Sequence, residues 1–310
     1  MDADKVIFKE KFVERYSRLT DFEEFKKISL TYLRRSIRVN TLKASVEELK
    51  KRLEEKWNLE QIPWCREGFW IEHHKKERRD IGNIPEHSLG YFYTQEAASM
   101  IPPMVLEPKP GEFILDMCAA PGSKTTQIAA MMKNQGIIIA NDVKGERISP
   151  LGINLQRMGM TNHLITMMEG RRFKGFNFDR ILVDAPCSGT GTIRKSFKTL
   201  LIWNPDMVKR LSAQQKILIE TAFNNLRENG VMAYSTCSLE PEENEEVIDN
   251  LITKHENAKI EKFELNIKRS KPILEFEGKN YDKRIKDCLR IWPQDNDTEG
   301  FFVAKIRKGL

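Results

Sequence analysis

The sequence predicts an α/β fold: a doubly wound sheet of parallel strands preceded by a small N-terminal α+β unit. Three observations carry this reading. From Glu112 onward, short apolar runs alternate with helical stripes, the pattern of strands joined by crossover helices. Ile81-Gly82-Asn83-Ile84-Pro85 gathers Gly, Asn and Pro within a short span, punctuation that marks a connection. The chain has 310 residues, 40% of them hydrophobic, enough to bury two cores. The expected division is residues 1–88 and residues 89–310.

In chain order, residues 6–19 place Val6, Ile7, Phe12, Val13, Tyr16 and Leu19 in a helical stripe. Arg38-Val39-Asn40-Thr41-Leu42 is strand-like. Ser45-Val46-Glu47-Glu48 reads as a capping box that opens a helix with Val46, Leu49 and Leu53 on one face. Residues 62–71 carry aromatic and β-branched side chains and read as a strand. In the second unit, residues 112–116 form a strand ending in an acid. Residues 123–134 form a helix with Ser123 as its N-cap and Gly136 past its end. Residues 137–140 are a buried strand ending at Asn141-Asp142. Residues 164–168, 178–183, 231–234 and 301–306 are further strands, and residues 206–226 and 242–254 are helices.

No apolar run approaches the ~18 residues of a membrane span. Met1-Asp2-Ala3-Asp4-Lys5 opens acidic and lacks the apolar stretch of a secretory signal, so a cytoplasmic protein is expected. Cys65, Cys118, Cys187, Cys237 and Cys288 are odd in number and form no C-x-x-C pair. Neither a disulfide framework nor a metal site is expected from that spacing. With 51 Lys+Arg against 45 Asp+Glu the net charge is +6, a balance that admits a nucleic-acid partner.

Asp116-Met117-Cys118-Ala119-Ala120-Pro121-Gly122-Ser123-Lys124-Thr125 joins the first strand of the second unit to its first helix. Ala119, Ala120 and Gly122 let a ligand approach the backbone, and the helix N-terminus offers free N–H groups. The loop has neither G-x-G-x-x-G nor G-K-[ST] spacing, which disfavours NAD and ATP. Asp142, at the end of the next strand, can accept hydrogen bonds from two ribose hydroxyls. Together these features favour an adenosine ligand without a pyrophosphate, a description that S-adenosyl-L-methionine fits.

Asp184-Ala185-Pro186-Cys187-Ser188-Gly189-Thr190-Gly191 and Tyr234-Ser235-Thr236-Cys237-Ser238 each follow an apolar strand. In a doubly wound sheet both loops open on the cofactor edge, so two cysteines and an aspartate converge there. A thiolate suits a reaction at pyrimidine C5, which is too weak a nucleophile to take a methyl group directly. Addition of the thiolate to C6 makes C5 enamine-like. An acid near N3, such as Asp184, neutralises the charge that develops. A second cysteine can assist release, and spacing alone leaves open which cysteine does which.

The segments 116–125, 184–191 and 235–245 together resemble the Sun family (Fmu/RsmB-like) of RNA cytosine-5 methyltransferases. Pro186-Cys187 and Thr236-Cys237 are the most specific marks. Gly90-Tyr91-Phe92-Tyr93-Thr94-Gln95-Glu96-Ala97-Ala98-Ser99 resembles the family's entry into its catalytic domain. Arg290-Ile291-Trp292-Pro293 and Gly300-Phe301-Phe302 resemble its closing motif, and Arg38-Val39-Asn40 its N-terminal module. The resemblance implies a Rossmann-like, S-adenosylmethionine-dependent methyltransferase sheet. It implies Cys237 as nucleophile and Cys187 in product release, with Asp184 and Lys124 beside them. DNA cytosine-5 methyltransferases use a Pro-Cys nucleophile instead, which makes Cys187 the rival. The cofactor contacts it implies are Cys118, Ala119, Ala120, Pro121, Gly122, Ser123, Lys124, Asp142, Arg147, Glu169 and Asp184. Glu169 stands where the family usually has aspartate, and Gly122-Ser123 replaces its Gly-Gly.

Basic residues cluster at Arg34, Arg35, Arg38 and Lys43, at Arg171, Arg172 and Lys174, and at Arg194, Lys195 and Lys198. Beside the catalytic loops they are candidate phosphate contacts. Trp64, Trp70, Tyr91 and Tyr93 are candidate stacking residues, and the target base must be extruded into the pocket. The N-terminal unit is expected to bind RNA, since no segment follows residue 310. The compact layout is similar to archaeal tRNA cytosine-5 methyltransferases. The expected partner is tRNA, with no membrane and a single copy of the chain. An rRNA-directed enzyme and a non-catalytic RNA-binding scaffold are the alternatives.

Overall fold

The computed structural model describes residues 6–75 and 80–310. The acidic opening, residues 1–5, lies outside the described residues. Two short helices come first, α1 (Glu10–Tyr16) and α2 (Phe22–Ser29), the second capped by the Asp21 carboxylate. Their aromatic face, Phe12, Tyr16, Phe22 and Phe25, packs on Leu200, Trp203, Val208 and Trp292 of the second unit. The stripe read at residues 6–19 is helical over Glu10–Tyr16, and it packs on the core of the second unit.

The N-terminal sheet is antiparallel. It comprises β1 (Ser36–Val39), β2 (Trp57–Gln61), β3 (Gly68–His73) and β4 (Phe92–Thr94), in the order β2-β3-β1-β4. Helix α3 (Val46–Leu53) starts with the capping box expected at Ser45 and Glu48. Residues 62–71, read as one strand, are a turn followed by β3. Pro63 cannot donate to a ladder, and Gln61 Nε2 holds the turn by donating to the carbonyls of Cys65 and Gly68, each at 2.8 Å. The punctuated seam holds the short helix α4 (Pro85–Ser88), after which β4 returns to pair with β1.

The second unit begins with α5 (Ile101–Leu106) and continues as β5 (Phe113–Asp116), α6 (Ser123–Met131), β6 (Ile137–Asp142), α7 (Gly145–Arg157) and β7 (His163–Met167). Then come β8 (Phe178–Asp184), α8 (Lys198–Ile202), α9 (Pro205–Asn224), β9 (Leu226–Thr236), α10 (Glu245–Lys254) and β10 (Ala258–Ile260). A hairpin of β11 (Glu275–Phe276) and β12 (Lys279–Asn280), then β13 (Leu289–Ile291), α11 (Pro293–Asn296) and β14 (Phe301–Lys308), close the chain. The large sheet runs β10-β14-β9-β8-β5-β6-β7, with β13 paired to β14.

The strands β9, β8, β5, β6 and β7 are parallel, as the crossover helices require. The fold is thus the expected Rossmann-like α/β sheet with a small N-terminal unit. One part of the expectation changes: β14 lies antiparallel to β9, and β10 and β13 are antiparallel to β14. Buried aliphatic and aromatic side chains such as Leu115, Ile181, Met232 and Phe302 fill one face of the sheet, and Ile114, Ile138, Leu155 and Leu182 the other.

Candidate active site

Four parallel strands end at one edge and deliver the site. Asp116 ends β5, Asp142 ends β6, Asp184 ends β8, and Thr236 ends β9 just before Cys237. This is the crevice in which open α/β sheets bind ligands.

The loop from β5 to α6 is tied down from both sides. Ala119 N–H donates to the carbonyl of Asn141 at 2.7 Å, and Ala120 N–H to Asp142 Oδ2 at 3.3 Å. Asn154 Nδ2 donates to the Pro121 carbonyl at 2.9 Å, and Arg147 donates to that of Ala120. The Ala120–Pro121 peptide is cis. Gly122, at φ +103°, caps α6 in a left-handed conformation, and a Cβ there would meet Leu151 and Leu155 at 3.2 and 3.3 Å. Ser123, expected as the N-cap, is instead the first helical residue, because the turn needs the φ that Gly122 supplies. Asp142 is buried and paired with Arg147 at 3.1 Å. Asp116 accepts from Thr125 Oγ1 at 2.7 Å, yet burial pushes its carboxyl up to about 7. Its Oδ1 is buried without a hydrogen-bond partner. The Cys118 thiol is pushed up by burial and then by Asp116.

Glu169 follows β7, and its carboxylate is engaged by Arg171 at 2.5 Å and Arg172 at 3.4 Å. Asn141, which the sequence reading passed over, pins this edge together. Its side chain donates to the carbonyls of Met117 and Met168 and accepts from Thr166 Oγ1 at 2.9 Å.

The two cysteine loops meet. Cys187 Sγ and Cys237 Sγ are 3.3 Å apart. The hydrogen bond to Cys237, burial, and the charges of Cys237 and Glu243 hold the Cys187 thiol well above the usual range. Either sulfur can donate across this contact. Lys124 Nζ is 2.7 Å from Asp184 Oδ2 and 2.9 Å from Ser99 Oγ. Burial works against the Lys124 ammonium, but Asp184, Cys237 and Asp116 outweigh it and raise its pKa. Ser235 Oγ donates to Asp184 Oδ1 at 2.7 Å. Gly191 N–H bonds the Cys237 carbonyl and Gly300 N–H the Gly191 carbonyl, both at 2.9 Å. A Cβ on Gly191 would lie 2.2 Å from the Gly300 carbonyl oxygen, so only glycine lets these loops close. The Phe301 ring stands 5.6 Å from Lys124 Nζ.

Several expected RNA contacts are internal instead. Arg38 is 1% exposed and donates to Gln95 Oε1 at 2.8 Å and Thr126 Oγ1 at 2.9 Å. Arg194 is buried among Asp297, Tyr32 and Thr298. Lys43 is exposed but donates to the carbonyls of Leu89 and Arg157 at 2.8 and 2.7 Å. Trp64, Trp70 and Tyr93 are buried. Arg171, Arg172, Lys174, Lys195 and Lys198 stay exposed. Arg34 pairs with Glu60 and lies 4.1 Å above the Trp70 ring.

An acid at each of three parallel strand ends and a glycine-capped loop form the ligand crevice of an open α/β sheet, and likeness to known proteins identifies the sheet as that of an S-adenosylmethionine-dependent methyltransferase. The profile of 16S rRNA methyltransferase RsmB/F matches residues 103–307, and that of the N-terminal domain of 16S rRNA methyltransferase RsmF matches residues 8–97. The chain belongs to this RsmB/F (Sun) family of RNA methyltransferases. It is 51% identical over 301 residues to the tRNA (cytosine(49)-C(5))-methyltransferase of Pyrococcus abyssi, covering 96% of each chain. It is 47% identical to the ribosomal RNA small subunit methyltransferase F of Aliivibrio fischeri over 89% of this chain, and spans 58% of that protein. Among solved structures, a methyltransferase homologue from Pyrococcus horikoshii superposes with a TM-score of 0.87 at 36% identity, over 99% of this chain and 97% of that one. NSun6 from Pyrococcus horikoshii with SFG, an S-adenosylmethionine analogue, superposes at 0.84 and 26% identity, over 98% and 99%.

Proposed function

We propose that this chain methylates C5 of cytosine in tRNA through a covalent Cys237–C6 adduct. The observation that carries the reading is the thiol pair at 3.3 Å beside the Lys124–Asp184 ion pair. The near-complete coverage of an archaeal tRNA enzyme supports the choice of tRNA.

Asp142 and Arg147 would hold the ribose, and the small residues Ala119 and Ala120 leave room for the adenosine. The unpartnered Asp116 Oδ1 is an acceptor suited to an ammonium group. S-adenosylmethionine bound there supplies the methyl group. Cys237 thiolate forms the S–C6 bond. The displaced electron pair is taken up toward N3, where the Lys124 ammonium, relayed by the Asp184 carboxylate paired with it, delivers a proton. C5 then carries the nucleophilic pair that takes the methyl. The C5 proton passes to solvent water and the N3 proton returns through Asp184 to Lys124, so the C5–C6 double bond re-forms and Cys237 leaves as thiolate. Cys187 donates its S–H to the departing thiolate. The exposed Lys195 and Lys198, just past the Cys187 loop, supply phosphate contacts, the N-terminal sheet adds surface for the RNA, and the reaction belongs to the cytoplasm.

The second reading is an rRNA substrate, favoured by the relation to the small-subunit enzymes. Radiolabelled methyl transfer onto separated tRNA and rRNA tests both, with base composition of the product. Label in 5-methylcytidine of tRNA is expected. Label confined to rRNA would favour the second reading, and none in either would overturn both.

A further inference from the structure

Glu243 lies in the turn before α10, is fully buried, and serves both cysteine loops at once. Its carboxylate accepts from Ser188 N–H at 3.0 Å and from the Ser188 hydroxyl, beside Cys187. It also accepts from the Ser238 hydroxyl, beside Cys237, and from Gln215 Nε2 of α9 at 3.1 Å. The two hydroxyl oxygens are 3.0 Å apart, a second rung parallel to the 3.3 Å thiol rung. Tyr234, two residues before the end of β9, donates to the Glu243 carbonyl at 2.6 Å and anchors the turn on the sheet.

We propose that Glu243 is a positioning residue, which locks the two cysteine loops in register and aims the Cys187 S–H at Cys237. It touches neither thiol in a reacting role. A neutral side chain of the same size could fill the space, but it could not accept from two hydroxyls and a backbone N–H together. Burial pushes the Glu243 carboxyl up to about 7, and above that pH its charge disfavours a second anion at Cys187. The proposal rests on the functional reading above for the meaning of the two thiols.

The test uses the full chain and two readouts that need no RNA. Diamide oxidation of the Cys187/Cys237 pair, followed by peptide mass spectrometry, reads loop register. Alkylation of Cys187 by iodoacetamide across pH, in a Cys237→Ser background, reads the charge. Glu243→Gln is expected to slow disulfide closure by about fivefold or more. It should also lower the alkylation midpoint by about one pH unit, the scale of one nearby like charge. General loosening of the site would speed alkylation at every pH without moving the midpoint. Either readout unmoved in a folded Glu243→Gln overturns the proposal. If that variant does not fold, Ser238→Ala removes one rung, and disulfide closure at the wild-type rate overturns it. Wild-type protein that methylates no RNA would instead refute the functional reading and leave both thiol readouts interpretable.

Discussion

Asp116 shows how burial acts on a single residue. It ends β5 and is 1% exposed, with one oxygen bonded to Thr125 and the other unpartnered. Burial first, and the charge of Asp184 as well, push its carboxyl from the ordinary aspartate range up to about 7. A raised native pKa means that the folded state holds the proton more tightly. Its contribution is fully present below about pH 4 and is lost as pH rises to about 7. A displacement of about three units corresponds to ~4 kcal/mol at most. Asp116→Asn keeps the Thr125 acceptor and removes the titration. Its stability relative to wild type is expected to rise between pH 4.5 and pH 8, read by denaturant unfolding at both. A flat difference would mean that Asp116 is ionised at little cost.

At the scale of elements, β1 is fastened to α6 by Arg38, and this shows what a sequence hides. Arg38 sat in a basic cluster with Arg34 and Arg35, the pattern of a phosphate-binding face, but β1 lies at the interior of its sheet. Its side chain meets Gln95, Ser123 and Thr126. Arg38→Ala is expected to cost on the order of 2–3 kcal/mol through unsatisfied buried groups. It should leave the salt dependence of tRNA binding unchanged. Replacing the exposed Lys195 and Lys198 by Ala should flatten that dependence, by a log–log slope of about one or more. Equal slopes in both variants, measured by filter binding from low to moderate salt, would contradict the assignment.

Strand ends and loops were legible where chemistry and period agree. An apolar run ending in an acid located β5, β6 and β8, and the flanking Pro-Cys and Thr-Cys marked the thiol loops. Helix α7 escaped notice because Pro150 lies inside it and Gly145 and Gly152 dilute its stripe. The antiparallel β14 was read as a strand, but direction depends on connections that no local pattern encodes. Glu243 falls in the predicted helix 242–254, where nothing in the sequence sets it apart. Only the tertiary fold brings Ser188 and Ser238 to it.

Across the whole molecule, the N-terminal segment is part of the frame that holds the cysteine loops. Arg15 pairs with Glu240 at 2.7 Å, and Tyr16 and Trp203 donate to that same buried carboxylate at 2.9 and 2.8 Å. Glu240 sits three residues past Cys237, so helices at the start of the chain brace the end of β9. Function and fold therefore converge on the thiol pair. The most direct measurement is a denaturing gel of Cys237→Ala and Cys187→Ala, each incubated with labelled tRNA and S-adenosylmethionine. Cys187→Ala should accumulate a denaturant-resistant protein–RNA adduct carrying the transferred methyl, and Cys237→Ala should form none and methylate nothing. An adduct with Cys237→Ala and none with Cys187→Ala would contradict the account and make Cys187 the nucleophile.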